Sequence, residues 1–344
     1  MVNTNRIPLR FIQPIGRLRL PENMGDGESF LPLYFLTNDK RRISKLMDPD
    51  IERSMGWTFR NTALEGAIYL EGDIAAHDQS ASQSDVYYFV WDCRFFLLAL
   101  WIVKDHAIEL MPAILKTSFP DTTPPWRIDT SSGHQNFNAA GAITSVEFSR
   151  EEIRIAGEYF QDYMRKLPGR SAIESTTSKD TLPQTSFHKN STRLLRFIRF
   201  LDYARGIDDI SIKLALFCSC LECLFALESD TQDVTLRVAQ RTALFLETIP
   251  SQRKTLFKEV KEAYGFRSSV LHGGTINKKP PRLEEVCIQT DSILRRLFAT
   301  ILRGKSSKPD FFKLFTTDEE QLQEFLDDLV FSTGPYSRVE ENIS

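Results

Sequence analysis

The chain has 344 residues, 42% hydrophobic and 26% charged, the make-up of an ordinary globular protein with ample material for a core, and its length suggests two domains or one large one. A net charge of −3 excludes a molecule that binds polyanions over its whole surface, so any nucleic-acid surface has to be local. The longest apolar runs, FFLLALWIV (95–103) and LALFCSC (214–220), are too short for a bilayer, and the opening MVNTNRIPLRFIQPIGRL lacks the apolar region and cleavage site of a signal peptide, so the expectation is a soluble, cytoplasmic protein without membrane contact.

The first half mixes patterns. RIPLRFI, FLPLYFL, GAIYLEG and AITSVEFS read as short strands, with β-branched and aromatic residues between turn signals. DVYYFVWDCRFFLLALWIVKDH (85–106) reads as a largely buried helix, its apolar run being also compatible with a strand. Ser149 and Glu152 have the spacing of a capping box. Behind them Ile153, Ala156, Phe160, Tyr163, Met164 and Leu167 keep helical spacing. An α+β N-terminal domain, 1–167, is expected, closing with a helix at about 150–167.

Residues 168–190 form a Ser/Thr-rich stretch with Pro168 and Pro183 and no periodicity, which is linker composition. Beyond it, helices are predicted over 191–206, 208–228, 233–247, 251–272 and 282–304, an all-α helical bundle over 191–305. The 208–228 helix is apolar nearly all round, as a central helix should be. In the first predicted helix Arg193, Arg196 and Arg199 share one flank. The segment 306–344 is acidic, and TDEEQLQEFLDDLVF (317–331) opens with a second capping-box spacing, Thr317 to Glu320; it is expected to be a helix packed on the bundle or on a partner. Residues 189–305 hold 20 Lys and Arg against 13 Asp and Glu, a net of +7, whereas 1–188 carry −4 and the tail −6. A basic bundle fits either an RNA-facing surface or docking of its own acidic tail.

Within that bundle, YGFRSSVLHGG (264–274) places Arg267 five residues before His272 and a Gly pair. Five helical steps advance about 500°, so the two side chains start roughly 140° apart. A bend of the long Arg, a loosening near Gly265, or a two-fold that joins two such pairs would bring them together. As local structure, the same residues read as a helix end, with a Gly cap and a His in the last turn. Glu222, inside FCSCLECLFAL, needs a partner if it is buried, and both Arg241 and Arg267 are available to it. Such a pair can fix helix register or orient a functional Arg. Cys218, Cys220 and Cys223 lack a second ligand cluster at zinc spacing and read as buried thiols, so no metal site and no cofactor are expected. His77, His106, His134 and His188 have no partners at motif spacing, and no P-loop, GxGxxG, HExxH or GxSxG stretch occurs. Lys278 and Lys279 make a basic loop, either solvated or placed for RNA phosphates.

The succession LECLFAL, RVAQRTALFL, EAYGFRSSVLHGG resembles the HEPN domain (higher eukaryotes and prokaryotes nucleotide-binding), in its Apea-like branch, over about 190–305. LLALWIVKDHAIEL (97–110) is similar to a segment found upstream of this domain in some proteins. The resemblance implies a metal-independent endoribonuclease with Arg267 and His272 as catalytic residues. Glu222, Arg241 and Ser268 would support them, Ser268 standing where many members carry Asn, Asp or His. It further implies a homodimer that joins two Arg–His pairs on RNA, and a toxin or anti-phage effector context. The N-terminal domain would then sense a trigger or bind an inhibitor. The other reading is a non-catalytic dimerisation or RNA-binding module.

Overall fold

The computed structural model describes residues 6–75, 82–118, 123–166, 191–230, 232–271, 280–303, 310–316 and 319–331. The chain divides into two units, Met1–Asn136 with Ile143–Met164, and Phe137–Ala142 with Arg165–Ser344.

The first unit is built on an antiparallel sheet. β1 (Arg6–Gly16) is its long central strand, between β5 (Ala67–Ala75) and β7 (Ile114–Ser118). The order continues outward through β4 (Tyr34–Thr37) to β3 (Glu28–Leu31) on one side and to β8 (Trp126–Thr130) on the other, while β6 (Glu109–Leu110) pairs with the end of β1. Alternation along β1 and β5 sends Leu9, Phe11, Ile68 and Leu70 to one face and Ile12, Ala67 and Tyr69 to the other, as the two-residue period of a strand requires. The first set packs with α3 (Ser82–Val103) and α4 (Arg150–Lys166), through Phe96, Leu100, Ile153 and Phe160. The second packs under α1 (Lys40–Leu46) and α2 (Pro49–Glu65), through Ile43, Ile51 and Phe59. The 85–106 run is helical as far as Val103, where α3 ends.

The structure refines the strand expectations. FLPLYFL is not one strand: β3 and β4 form a hairpin about Pro32 and Leu33, and Leu33 takes φ 75°. AITSVEFS contributes only β9 (Val146–Glu147), paired in parallel with β2 (Leu18–Arg19). The capping box before α4 is formed. Glu152 N–H donates to Ser149 Oγ at 3.2 Å, and Ser149 N–H donates to Glu152 Oε2 at 2.9 Å.

The regular elements described in the second unit are all helices: α5 (Arg193–Arg205), α6 (Ile210–Phe225), α7 (Val234–Leu246), α8 (Pro250–Leu271), α9 (Pro280–Arg303), α10 (Phe311–Leu314) and α11 (Glu319–Phe331). α6 is the central helix and packs on α5, α7, α8 and α9; its Leu214, Phe217, Cys218, Leu221 and Phe225 are fully enclosed. The acidic helix α11 lies on the bundle, with Leu322, Leu326 and Leu329 buried and Phe325 against Phe245 and Phe311. Thr317, the expected cap of this helix, lies outside the described residues. Residues 137–142 join this unit because Phe137 N–H bonds Arg205 O at 2.7 Å and the buried Lys213 donates to Ala204 O at 2.9 Å and Phe137 O at 3.4 Å. Gly141 permits that approach. Its φ is +72°, and a Cβ there would stand 2.1 Å from Asp208 O. Among the described residues, no helix is long and apolar enough to cross a membrane.

Candidate functional site

The site begins with α8, a continuous helix from Pro250 to Leu271 that runs through Gly265 without a break. Arg267 stands four residues before its last described residue. His272 follows directly, and His272, Lys278 and Lys279 lie outside the described residues.

Arg267 reaches across to α6. Its Nη1 donates to Glu222 Oε1 at 2.8 Å and its Nη2 to Glu222 Oε2 at 3.1 Å, a bidentate pair in which each side chain is 25% exposed. Of the two arginines open to Glu222 in the sequence, Arg267 is therefore the partner. Planar fork-to-carboxylate pairing fixes orientation as well as charge. Arg267 Nε, by contrast, is buried and has no hydrogen-bond partner among the described residues. A buried unpaired donor is costly, and in native proteins it calls for an explanation.

Tyr264 completes the cluster. It sits one turn before Arg267 on α8, is 4% exposed, and its ring centroid lies 5.5 Å from the guanidinium carbon of Arg267. Its hydroxyl donates to Cys218 O at 3.4 Å. Burial pushes the Glu222 carboxyl above its ordinary pKa; the charge of Arg267, the nearby polar Tyr264 and the Arg267 hydrogen bonds offset that only in part. Burial first, and then the nearby Glu222 charge, raises the Tyr264 phenol as well, so it stays protonated and able to donate.

Arg241 does not join these residues. It is 3% exposed, donates to Phe225 O at 2.8 Å, and pairs with Asp230, whose side chain is 1% exposed. Burial alone would raise the Asp230 carboxyl. The Arg241 hydrogen bond, the Leu227 N–H and the charges of Arg241 and Arg237 outweigh it and hold the carboxyl below its usual value. Ser268 is exposed, one helical step of about 100° around from Arg267.

The α5 arginines flank the same end of α6. Arg193 donates to Cys223 O at 3.1 Å, to Ala226 O and to Glu319 of the acidic helix, so it is a clamp on the helix end. Arg196 donates to Ser191 O at 2.9 Å, and its charge acts on the Cys223 thiol. Burial pushes that thiol up to about 11, against the pull of Arg196 and Arg193. All five cysteines are free thiols, and among the described residues no group of three His, Cys, Asp or Glu gathers as a metal site. His106 is a local tie in the first unit, bonding Leu97 O and accepting from Ile108 N–H. His134 bonds Arg94 at 2.6 Å.

Two members of these clusters are absent from the sequence reading. Tyr264 was signalled by its i, i+3 spacing to Arg267, which sets both on one helix face. Asp230 lies in the turn before α7 and carries no periodic signal. Compared with protein-family models, curated proteins and solved structures, the chain matches none of them.

Proposed function

We propose that the helical unit is a HEPN-type endoribonuclease that cleaves RNA without a metal ion, with Arg267 and His272 as its catalytic residues. The observation that carries the reading is the state of Arg267. Its side chain is partly exposed, is aligned by Glu222 from a neighbouring helix through one hydrogen of each Nη, keeps the second hydrogen of each Nη uncommitted to that pair, and stands five residues before the His. An orientated guanidinium with spare donors is a phosphate clamp. The local excess of positive charge over 189–305 supports a polyanionic ligand.

The chemistry follows from the residue types. A His with a near-neutral pKa takes the proton of the ribose 2′-hydroxyl. The 2′-oxygen then bonds to phosphorus and the P–O5′ bond breaks. A second His, from a second copy of the chain, protonates the leaving 5′-oxygen. Arg267 neutralises the charge that gathers on the non-bridging oxygens. The products are a 2′,3′-cyclic phosphate and a 5′-hydroxyl, and DNA, lacking the 2′-hydroxyl, is left intact. On this reading the first unit restrains or triggers the nuclease in a toxin or anti-phage role. The same geometry also favours a second reading: both Nη atoms of Arg267 are engaged by Glu222, which suits a register-fixing pair in a non-catalytic dimerisation or RNA-binding module.

Incubating the full-length protein with RNA in EDTA, beside Arg267→Ala and His272→Ala, decides between them. Cyclic-phosphate ends from the wild type, lost by a factor of about 100 or more in both variants, establish the nuclease. Cleavage that survives His272→Ala removes that residue from the mechanism. RNA binding without cleavage supports the module.

A further inference from the structure

We propose that the exposed face of α8 is the track along which an RNA strand reaches the candidate site, with Lys254, Lys258 and Lys261 holding its phosphates and Gly265 letting its backbone lie against the helix; the proposal rests on the ribonuclease reading above. At 100° per residue the three lysines, Gly265 and Ser268 fall within about 40° of one line along the helix, and all of them are exposed. At 1.5 Å per residue that line runs about 21 Å, toward the helix end that carries Arg267. Exposed cations elsewhere in the helical unit are tied to carboxylates: Arg237 to Asp230, Arg282 to Glu262 and Arg296 to Glu247. Among the described residues Lys254 and Lys258 make no ion pair or hydrogen bond, and Lys261 has only the Phe257 ring, its centroid 5.5 Å from Nζ. The two carboxylates of α8 stand off the line, Glu262 about 80° and Glu259 about 140° around from Lys254, and Glu262 is already paired with Arg282. A helix face of one sign fits a polyanion. A second copy of the chain seated on this face about a two-fold would meet like charge instead.

Gly265 points the same way by a separate route. A glycine inside a helix costs about 1 kcal/mol relative to alanine, and tight packing is the usual reason to keep one. At Gly265 a Cβ would meet nothing within 4 Å, so no neighbour among the described residues demands the glycine. What a bare stretch of helix surface provides is close approach by another backbone. Gly265 lies on the line between Lys261 and Ser268, two residues before Arg267. A strand held by the lysines and laid over Gly265 is therefore delivered to the end of α8 where the guanidinium stands. Contacts of this kind go to phosphates, so they position the strand without reading its sequence.

The test compares the full-length protein with a variant combining Lys254→Gln, Lys258→Gln and Lys261→Gln, and with Gly265→Gln. A control combining Lys40→Gln, Arg41→Gln and Lys45→Gln removes the same charge from exposed positions of α1 in the first unit. Binding is measured over a range of salt with a single-stranded 2′-O-methyl RNA, whose blocked 2′-oxygen prevents cleavage, and turnover with unmodified RNA. Each phosphate contact on a single strand adds about 0.7 to the slope of log K against log salt, so the lysine variant should lose about 2 in slope. Its KM for RNA should rise about tenfold with kcat unchanged. Gly265→Gln should weaken binding while melting at or above the wild-type temperature, and the control should keep the wild-type slope. An unchanged slope in the lysine variant, an equal loss in the control, or full binding by Gly265→Gln overturns the track. If the wild type cleaves no RNA, the ribonuclease reading fails, and the salt slopes then decide the track alone. A loss of about 2 confined to the lysine variant upholds it as an RNA-binding face, and a wild type that does not bind the strand overturns it.

Discussion

Replacing Asp230 by alanine probes the most enclosed ion pair among the described residues of the helical unit. Arg241 is 3% exposed and has two kinds of partner, Phe225 O at 2.8 Å and the Asp230 carboxylate, itself 1% exposed. The variant leaves a buried guanidinium with a single carbonyl, and breaking a buried pair from one side costs about 3–5 kcal/mol. Arg237 reaches the same carboxylate at 3.1 Å but is 51% exposed, so Arg237→Ala should cost only about 0–1 kcal/mol. The chain provides a way to localise the effect. Its four tryptophans, at 57, 91, 101 and 126, all belong to the first unit, so their fluorescence follows that unit while far-UV circular dichroism weights the helices. Asp230→Ala is expected to lower the helical transition by about 10 °C and to leave the fluorescence transition in place. The sign of the pH dependence is fixed as well. Asp230 is depressed in the folded state, so its stabilisation is present above an unfolded pKa of about 3.9 and is lost as pH falls through the folded value. The gap between variant and wild type should close in acid. A variant within about 1 kcal/mol of wild type at neutral pH would refute the buried pair.

Ser149→Ala removes one half of the reciprocal cap on α4, and a loss of about 1 kcal/mol is expected in the fluorescence transition; an unchanged midpoint would mean that the cap adds nothing. Gly141→Ala places a Cβ 2.1 Å from Asp208 O at a φ of +72°, and the helical transition should fall by the equivalent of about 1–3 kcal/mol, with an unaffected melt counting against this turn. Glu222 has the opposite sign to Asp230. Its folded pKa is raised, so its ionisation weakens the fold as pH climbs from about 4.3 through that raised value. Glu222→Gln should flatten this part of the stability–pH curve, and an unaltered slope would contradict the assignment.

The fold was legible where one periodic signal dominated. The helices α4 to α9 announce themselves by apolar residues at helical spacing and by caps such as Ser149 with Glu152, because such helices bury one stripe and end where side chains can bond free amides. α2 had local signals too: Asp48 caps it and Pro49 fills its first turn. Its pattern slips, however, because the helix kinks at Gly56, with φ 74°, and residues on either side of the kink no longer share one face. The β3–β4 hairpin was hidden for another reason. Leu33 takes the positive φ that Gly or Asn usually supplies, so FLPLYFL reads as one strand when only residue types are considered. β7 and β8 are five residues each, and in the sequence their short alternation is indistinguishable from loop.

Glu222 and Arg267 stood out in the sequence as residues, but their pairing did not. Glu222 needed a cation, and both Arg241 and Arg267 come from helices that pack on α6. Helical periodicity places each arginine on a face but says nothing about which one a neighbouring carboxylate reaches. The choice is settled by Asp230, in a turn where no periodicity operates. Eleven residues before Arg241, it offers a carboxylate that accepts from Leu227 N–H at 2.9 Å and so is already aimed when the guanidinium arrives. With Arg241 held there, Arg267 is the cation that pairs with Glu222. The arrangement of the candidate site is thus set partly by a loop residue outside it. The Arg–His spacing thus suggests a chemistry but carries no record of the contacts that hold Arg267.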